Sequence, residues 1–165
     1  MNQSLIRNVR ESDIPEIIEI YNPFITKTTV SFEEEPVSAQ EMQRRIRQVQ
    51  DQGLPWLCIE VEDKVAGYAY ASRWRERPAY RFTVETTIYL GPTYTGRGIG
   101  RSLYSTLLEQ VRALGMHQVI AVITLPNPAS VSLHEKLGFE KVAHFSEVGY
   151  KFNQWLDVGY WQRAL

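Results

Sequence analysis

Cysteine is almost missing from this chain. Cys58 is the only one in 165 residues, so no disulfide can form within it. A lone thiol favours a reducing, cytoplasmic setting. Cys58 sits inside an apolar run, WLCIEV, and reads as core rather than as a nucleophile. Excess charge is missing too: 18 Lys and Arg against 19 Asp and Glu leave a net charge of −1. Nucleic acid therefore has no electrostatic foothold, and no basic stretch is interleaved with aromatics. No apolar run reaches the ~18 residues of a membrane helix. The opening MNQSLIRNVRESD has no signal-peptide core. Neither a membrane nor a nucleic acid is expected as a partner. Repeats, low-complexity stretches and linkers are absent as well, so one domain over residues 1–165 is expected.

What is present centres on Thr83 to Gly115, TVETTIYLGPTYTGRGIGRSLYSTLLEQVRALG. Thr83 to Leu90 is β-branched and aromatic, the composition of a buried strand. Gly91-Pro92 breaks it. From Ile99 the apolar residues Ile99, Leu103, Leu107, Leu108, Val111 and Leu114 recur at helical spacing. Gly115 stops the helix as a C′ residue. Between strand and helix stand Gly96, Gly98 and Gly100. Glycine in a helix costs about 1 kcal/mol against alanine, so something must approach the backbone closely here. One reading is a tight strand-to-helix turn. The other is an anion cradle, with free N–H groups at the helix start and Arg97 and Arg101 as cationic donors. A dinucleotide fingerprint does not fit, because Arg101 stands where G-x-G-x-x-G needs its last glycine. A P-loop does not fit either, because Arg97-Gly98 replaces the required Lys and hydroxyl residue.

The rest of the chain reads as alternating elements. Leu5 to Val9 is a short strand. Ser12 or Asp13 caps a helix with Pro15 in its first turn and an apolar face of Ile14, Ile17, Ile18 and Tyr21. Pro23 is expected to bend or end it. Ile25 to Phe32 reads either as a loop lining a site or as a plain connector. Ser38 to Glu41 matches a capping box, and a helix to about Gln52 follows, ended by Gly53. Met42, Ile46 and Val49 face a core, and its arginines are expected on a solvated face. Leu54 to Val61 and Val65 to Trp74 form a hairpin around Glu62-Asp63-Lys64. Arg75 to Tyr80, RERPAY, is a loop whose arginines either pair with an anionic group or simply carry surface charge. Gln118 to Thr124 is apolar on both faces, a central strand. Asn127 or Ser130 caps a helix from Ala129 to Leu137, ended by Gly138. Phe139 to Phe145 and Tyr150 to Trp161 read as closing strands.

These elements resemble the GNAT superfamily of N-acetyltransferases. Thr95-Gly96-Arg97-Gly98-Ile99-Gly100 is similar to its pyrophosphate loop, [Q/R]-x-x-G-x-[G/A], with Thr95 departing at the first position. Leu133-His134-Glu135-Lys136-Leu137-Gly138-Phe139 resembles the L-H-E-x-x-G-[F/Y] of the phosphinothricin and methionine sulfoximine N-acetyltransferase-like subgroup. Trp74 to Glu85, Ala121 to Asn127 and Val148 to Gln162 match further stretches of that subgroup in order. The resemblance covers nearly the whole chain. It implies an α/β (α+β) GNAT fold, a mixed central sheet of about six to seven strands with helices on both faces.

The resemblance also implies chemistry. The donor is acetyl-CoA, and no metal is expected. The acceptor is the amine of a small amino-acid analogue: phosphinothricin, methionine sulfoximine or methionine sulfone. Glu85 is the implied base, because an amine arrives as ammonium and must lose a proton. His134 is a second proton carrier or an orienting group. Backbone at Ile88, Tyr89 and Leu90 is implied to pair with the pantetheine arm and to supply an oxyanion donor. Gly96, Arg97, Gly98, Ile99, Gly100 and Arg101 hold the pyrophosphate, and Asn127 also contacts the cofactor. Arg75, Glu76, Arg77, Tyr80, Phe32 and Thr29 are implied on the acceptor side. Arg75 stands where relatives often have Lys, and Phe82 where they have Trp. A homodimer is implied, with the C-terminal strands near the partner; the aromatic tail there (Tyr150, Phe152, Trp155, Tyr160, Trp161) suits an interface or plain core. Two rival expectations stand beside this one: acetylation of another amine, or a non-catalytic acyl-CoA-binding domain.

Overall fold

A computed structural model describes residues 4–165. Its elements are β1 (Ser4–Asn8), α1 (Ile14–Lys27), α2 (Ala39–Asp51), β2 (Trp56–Val61), β3 (Lys64–Arg73), β4 (Thr83–Leu90), α3 (Ile99–Ala113), β5 (Gln118–Leu125), α4 (Pro128–Lys136), β6 (Glu140–Lys151) and β7 (Gln154–Ala164). Among the described residues the strands make one 7-stranded sheet in the order β1-β2-β3-β4-β5-β7-β6. Only β4 and β5 run parallel; every other neighbouring pair is antiparallel. The mixed α/β architecture is the one expected from the sequence.

Local chemistry explains most boundaries. Pro15 occupies the first turn of α1, where its missing N–H leaves nothing unpaired. Ser38 Oγ accepts the Glu41 N–H at 3.1 Å, and Met42, Ile46 and Val49 are buried beneath α2. Glu62 and Asp63 turn the β2–β3 hairpin with φ of 52° and 60°, a conformation whose twist matches the strands. Lys64 already belongs to β3. At the end of α3, Met116 N–H bonds Val111 C=O and Gly115 N–H bonds Arg112 C=O, with Gly115 at φ +81°. That is the Schellman arrangement a C′ glycine permits. Cys58 is fully buried, and burial pushes its thiol well above its ordinary pKa.

Three expectations need correction. Of the two expectations for Pro23, a bend or an end, the second fails: Pro23 lies inside α1, which continues to Lys27. Ile25 is 1% exposed, and its burial favours continuing the helix past the lost hydrogen bond. The arginines of α2 are not all solvated: Arg45 bonds Glu33 at 2.5 Å and Glu41 at 2.9 Å. The closing strands do not divide at residues 146–149. β6 runs on to Lys151 through a register shift between Phe145 and Gly149, and the turn falls at Phe152-Asn153, with φ of 51° and 58°. Asn153 is a typical residue for this backbone, but Phe152 is not, so the turn's signal in the sequence is one residue long.

Candidate active site

The parallel pair opens a cleft. β4 and β5 are registered only at Thr83/Gln118, Val84/Val119 and Glu85/Ile120. Beyond Glu85, β4 stays on β3 and β5 stays on β7, so the two strands part. A cavity of 260 Å³ fills the fork. Glu85, Thr86, Ile88 and Tyr89 line one wall; Ile123, Asn127 and His134 line the other; Ser31 and Phe32 approach from the loop after α1.

Backbone direction follows from the ladder. Gly91 N–H bonds Ala66 C=O, which places the β3-facing positions of β4 at alternate residues. In that alternation Tyr89 turns its backbone to β3. Ile88 and Leu90 turn theirs to the cleft. The Tyr89 ring instead packs against Tyr21 and Phe24, each at 5.0 Å between centroids.

The glycine turn has two separate reasons. Gly98 caps α3 in the left-handed conformation at φ +78°, with nothing within 4 Å of a Cβ placed there. Gly100 is different: a Cβ there would lie 2.8 Å from Leu90 Cδ1. The close approach at Gly100 is therefore made by β4 itself. The first helical bond of α3 runs from Ser102 N–H to Gly98 C=O at 3.3 Å. The N–H groups of Ile99, Gly100 and Arg101 precede it and point out of the helix start. Arg97 and Arg101 are exposed beside them. An open concave backbone with free donors and two cations fits a pyrophosphate.

Glu85 is half-buried and accepts no hydrogen bond from a described residue. Burial holds its carboxyl above the ordinary carboxylate range, opposed by the Arg75 guanidinium. His134 is 4% exposed and bonded at both nitrogens. Its Nδ1 lies 2.7 Å from Ser130 C=O, and its Nε2 lies 3.0 Å from the Tyr104 hydroxyl. A carbonyl only accepts, so the network assigns the proton to Nδ1 and makes Nε2 the acceptor. Tyr104 then donates to His134 and receives the Thr86 hydroxyl at 2.6 Å. Burial lowers the His134 pKa, so the ring is neutral at pH 7.

The expected site residues divide into groups. Glu85, Ile88, Tyr89, Asn127, His134 and Phe32 line the cleft. Leu90, on the same strand, packs under Gly100. Gly96, Arg97, Gly98, Ile99 and Arg101 form the turn at its mouth. Arg75, Glu76, Arg77 and Tyr80 lie on an exposed loop and do not line this cavity, and neither does Thr29. Asn127 Oδ1 accepts the Ser130 N–H at 3.2 Å, so it caps α4 while facing the cleft.

Sequence reasoning missed Tyr104, Thr86 and Lys151. Tyr104 is fully buried among the apolar positions of α3, and a phenol there always needs a partner. Lys151 is 3% exposed and donates to Ser31 C=O at 2.5 Å. Phe32, the next residue, rests on Gly149, where a Cβ would meet its ring at 2.3 Å. Glu33 accepts from Tyr21 and from Arg45. The loop after α1 is thus tied to α1, α2 and β6 at once.

A forked parallel pair, a donor-rich helix start beside it and a half-buried, unpaired carboxylate in the fork suit an acyl-transfer site. The acetyltransferase (GNAT) domain model matches residues 6–159, and the chain belongs to this family. It is 43% identical over 158 residues to the phosphinothricin N-acetyltransferase of Streptomyces viridochromogenes, covering 96% of this chain and 86% of that one. It is 37% identical over 161 residues to the L-methionine sulfoximine/L-methionine sulfone acetyltransferase of Pseudomonas aeruginosa, covering 97% and 94%. The crystal structure of a GNAT superfamily phosphinothricin acetyltransferase from Sinorhizobium meliloti in complex with AcCoA superposes with a TM-score of 0.95 at 40% identity. It covers 98% of this chain and 88% of that one.

Proposed function

We propose that this chain is a single-domain, acetyl-CoA-dependent N-acetyltransferase. Its acceptor is the α-amino group of a small amino acid with an oxidised sulfur or phosphorus side-chain end. The relatives named above support the class of donor and acceptor. The observation that carries the reading is Glu85, an unbonded carboxylate with a raised pKa at the fork of β4 and β5.

Acetyl-CoA, when bound, supplies an already activated acyl carbon, so placement and proton handling remain for the protein. Gly96 to Arg101 would hold its pyrophosphate, and Asn127 with the cleft-facing backbone of Ile88 and Leu90 its pantetheine arm. Glu85 takes the proton that the incoming ammonium must lose, and its raised pKa suits that task. The N–H groups of Ile88 and Leu90 face the place where negative charge develops on the acyl oxygen. His134, neutral and bonded at both nitrogens, suits a proton relay through Tyr104 and Thr86 better than a donor acid. Arg75, Arg77, Tyr80 and Glu76 are the polar contacts proposed for the acceptor's carboxylate and amino groups. Phe32 closes the acceptor side.

The biological role we infer is tolerance to such analogues, herbicidal ones included, in the cytoplasm. A homodimer is the proposed assembly. Phe145, Val148, Tyr150, Phe152 and Trp155 leave a large apolar surface exposed on the β6–β7 hairpin, which suits a partner copy. Sedimentation of the wild type and of Trp155→Glu tests this; a monomeric wild type rejects it.

The function is tested by thiol release from acetyl-CoA against a panel. Phosphinothricin, methionine sulfoximine and methionine sulfone are the expected acceptors. Ordinary amino acids, spermidine and an aminoglycoside are the expected failures. Turnover confined to another amine would overturn the acceptor class. Acetyl-CoA binding without turnover on any amine would overturn the enzymatic reading.

A further inference from the structure

The Phe32 wall of the cleft rests on a residue with no side chain. In β6 the stretch Val148-Gly149-Tyr150-Lys151 alternates exposed, buried, exposed, buried. Val148 and Tyr150 face outward. Gly149 and Lys151 face the loop after α1: Gly149 lies under the Phe32 ring, and Lys151 donates to Ser31 C=O. Asp157 of β7 steadies the irregular stretch just before them. Its Oδ1 accepts the Glu147 N–H and its Oδ2 accepts the His144 Nε2–H, each at 2.8 Å.

Backbone geometry does not ask for glycine at position 149. Its φ lies outside the left-handed region in which Gly98 and Gly115 sit. Space does ask for it. A Cβ there would stand 2.3 Å from Phe32 Cζ and 2.4 Å from Phe32 Cε2. Ordinary carbon contacts begin near ~3.5 Å, so an alanine methyl would drive the ring away by about 1 Å. The obstacle is the free end of a ring, which yields by rotating its side chain. The backbone on either side is pinned. Ser31 is held by Lys151 and by the Tyr21 hydroxyl, 2.9 Å from Ser31 Oγ, and Glu33 is held by Arg45 and Tyr21. The ring itself is 42% exposed, so one side is open and its place is set by the side that rests on Gly149.

We propose that Gly149 is a positioning residue for acyl transfer, a statement that rests on the function proposed above. Its bare backbone is the seat that sets the Phe32 ring in the cleft wall, and Lys151 fixes the backbone of the same wall. A side chain at position 149 displaces the ring and changes the width of the cleft that Phe32 shares with Glu85. It does so without touching Glu85 or the turn from Gly96 to Arg101, so the effect falls on the acceptor and not on acetyl-CoA.

The test is a mutant cycle in the full chain, with methionine sulfone as the acceptor. Gly149→Ala should raise KM for the sulfone about tenfold, the worth of one methylene of wall contact. The kcat and the KM for acetyl-CoA should change less than about twofold, and the urea midpoint should hold. In a Phe32→Leu background the ring atoms that collide are gone, so the same change should cost less than about twofold. An unchanged KM for the sulfone, an equal rise in both KM values, or an undiminished penalty without the ring overturns the seat and leaves the proposed function intact. The 13C-labelled ring of Phe32, assigned by its loss in Phe32→Leu, reads the seat without turnover. Its signals should move in Gly149→Ala and should titrate with the sulfone at a midpoint about tenfold higher in that variant. That response with no thiol release on any amine supports the seat and overturns the function. Neither a ring response nor turnover overturns both.

Discussion

The Tyr104 hydroxyl stands between Thr86 and His134, and its single proton points at His134 Nε2. One phenol thereby joins β4, α3 and α4 behind the cleft. Tyr104→Phe leaves the histidine without a donor and Thr86 without an acceptor, both buried. Stability should fall by about 1–3 kcal/mol in urea titrations. If Tyr104 also carries a proton, kcat should fall while the Kd for acetyl-CoA holds. A fall in stability with kcat unchanged would leave Tyr104 a purely structural residue.

Glu85 should separate rate from binding. Glu85→Gln should lower kcat by about 10²–10⁴-fold and leave acetyl-CoA binding unchanged. In the wild type the acid limb of kcat/KM should lie above the ordinary 4.5, because burial raises the folded pKa. A raised carboxyl pKa means that its ionisation opposes folding. Its stabilising share is present below the unfolded pKa and lost as pH rises through the folded one. Glu85→Gln should therefore be the more stable protein at pH 7, with the difference closing near pH 4. Equal stability at both pH values would contradict the desolvated carboxylate.

His134 should behave with the opposite sign. Its folded pKa is lowered from 6.5 by burial. The unfolded chain then binds the proton more readily than the folded one. The stability that neutral His134 contributes is present above about pH 6.5 and is lost as pH falls toward the folded pKa. Urea midpoints between pH 7.5 and 5 should drop more steeply for the wild type than for His134→Gln. Parallel curves would count against a neutral buried ring.

Lys151 should act on the acceptor side alone. Its amine holds the Ser31 carbonyl, one residue from the Phe32 ring in the cleft wall. Lys151→Met removes the donor and keeps the bulk. KM for the acceptor should rise several-fold, and Lys151→Arg should restore part of it. The KM for acetyl-CoA should stay constant. Equal effects on both substrates would place Lys151 in general stability instead.

The glycines of the turn should respond differently to alanine. Gly98→Ala meets open space and suffers only the left-handed backbone, about 1–2 kcal/mol. Gly100→Ala collides with Leu90, and Leu90→Val should relieve it. A double-mutant cycle by thermal unfolding should show coupling for Gly100 with Leu90 and none for Gly98 with Leu90.

Much of the frame was legible beforehand because it is written in local signals. The strand Thr83–Leu90, the start of α3 at Ile99, its stop at Gly115 and the cap at Ser38 all rest on composition, spacing or a single side chain. Where local and tertiary preferences disagree, sequence reading failed. Pro23 left a bend and an end both open, and the buried Ile25 carries α1 onward. Phe152 and Asn153 form a turn that depends on β6 and β7 meeting in register. The glycine motif was visible, yet the separate reasons for Gly98 and Gly100 were not, because Leu90 reaches Gly100 only in the folded chain.

The sequence by itself determined most of the elements, the family resemblance and the identity of the chemical groups, Glu85 and His134 among them. Tertiary structure alone decided the fork between β4 and β5, since strand divergence is a property of two ladders and not of either strand. It also decided which groups are paired. Tyr104 found His134 across 30 positions and Lys151 found Ser31 across 120, while Trp56 was left with an unpaired N–H. Hydrogen bonds act over about 3 Å in space, and separation along the chain does not reveal them.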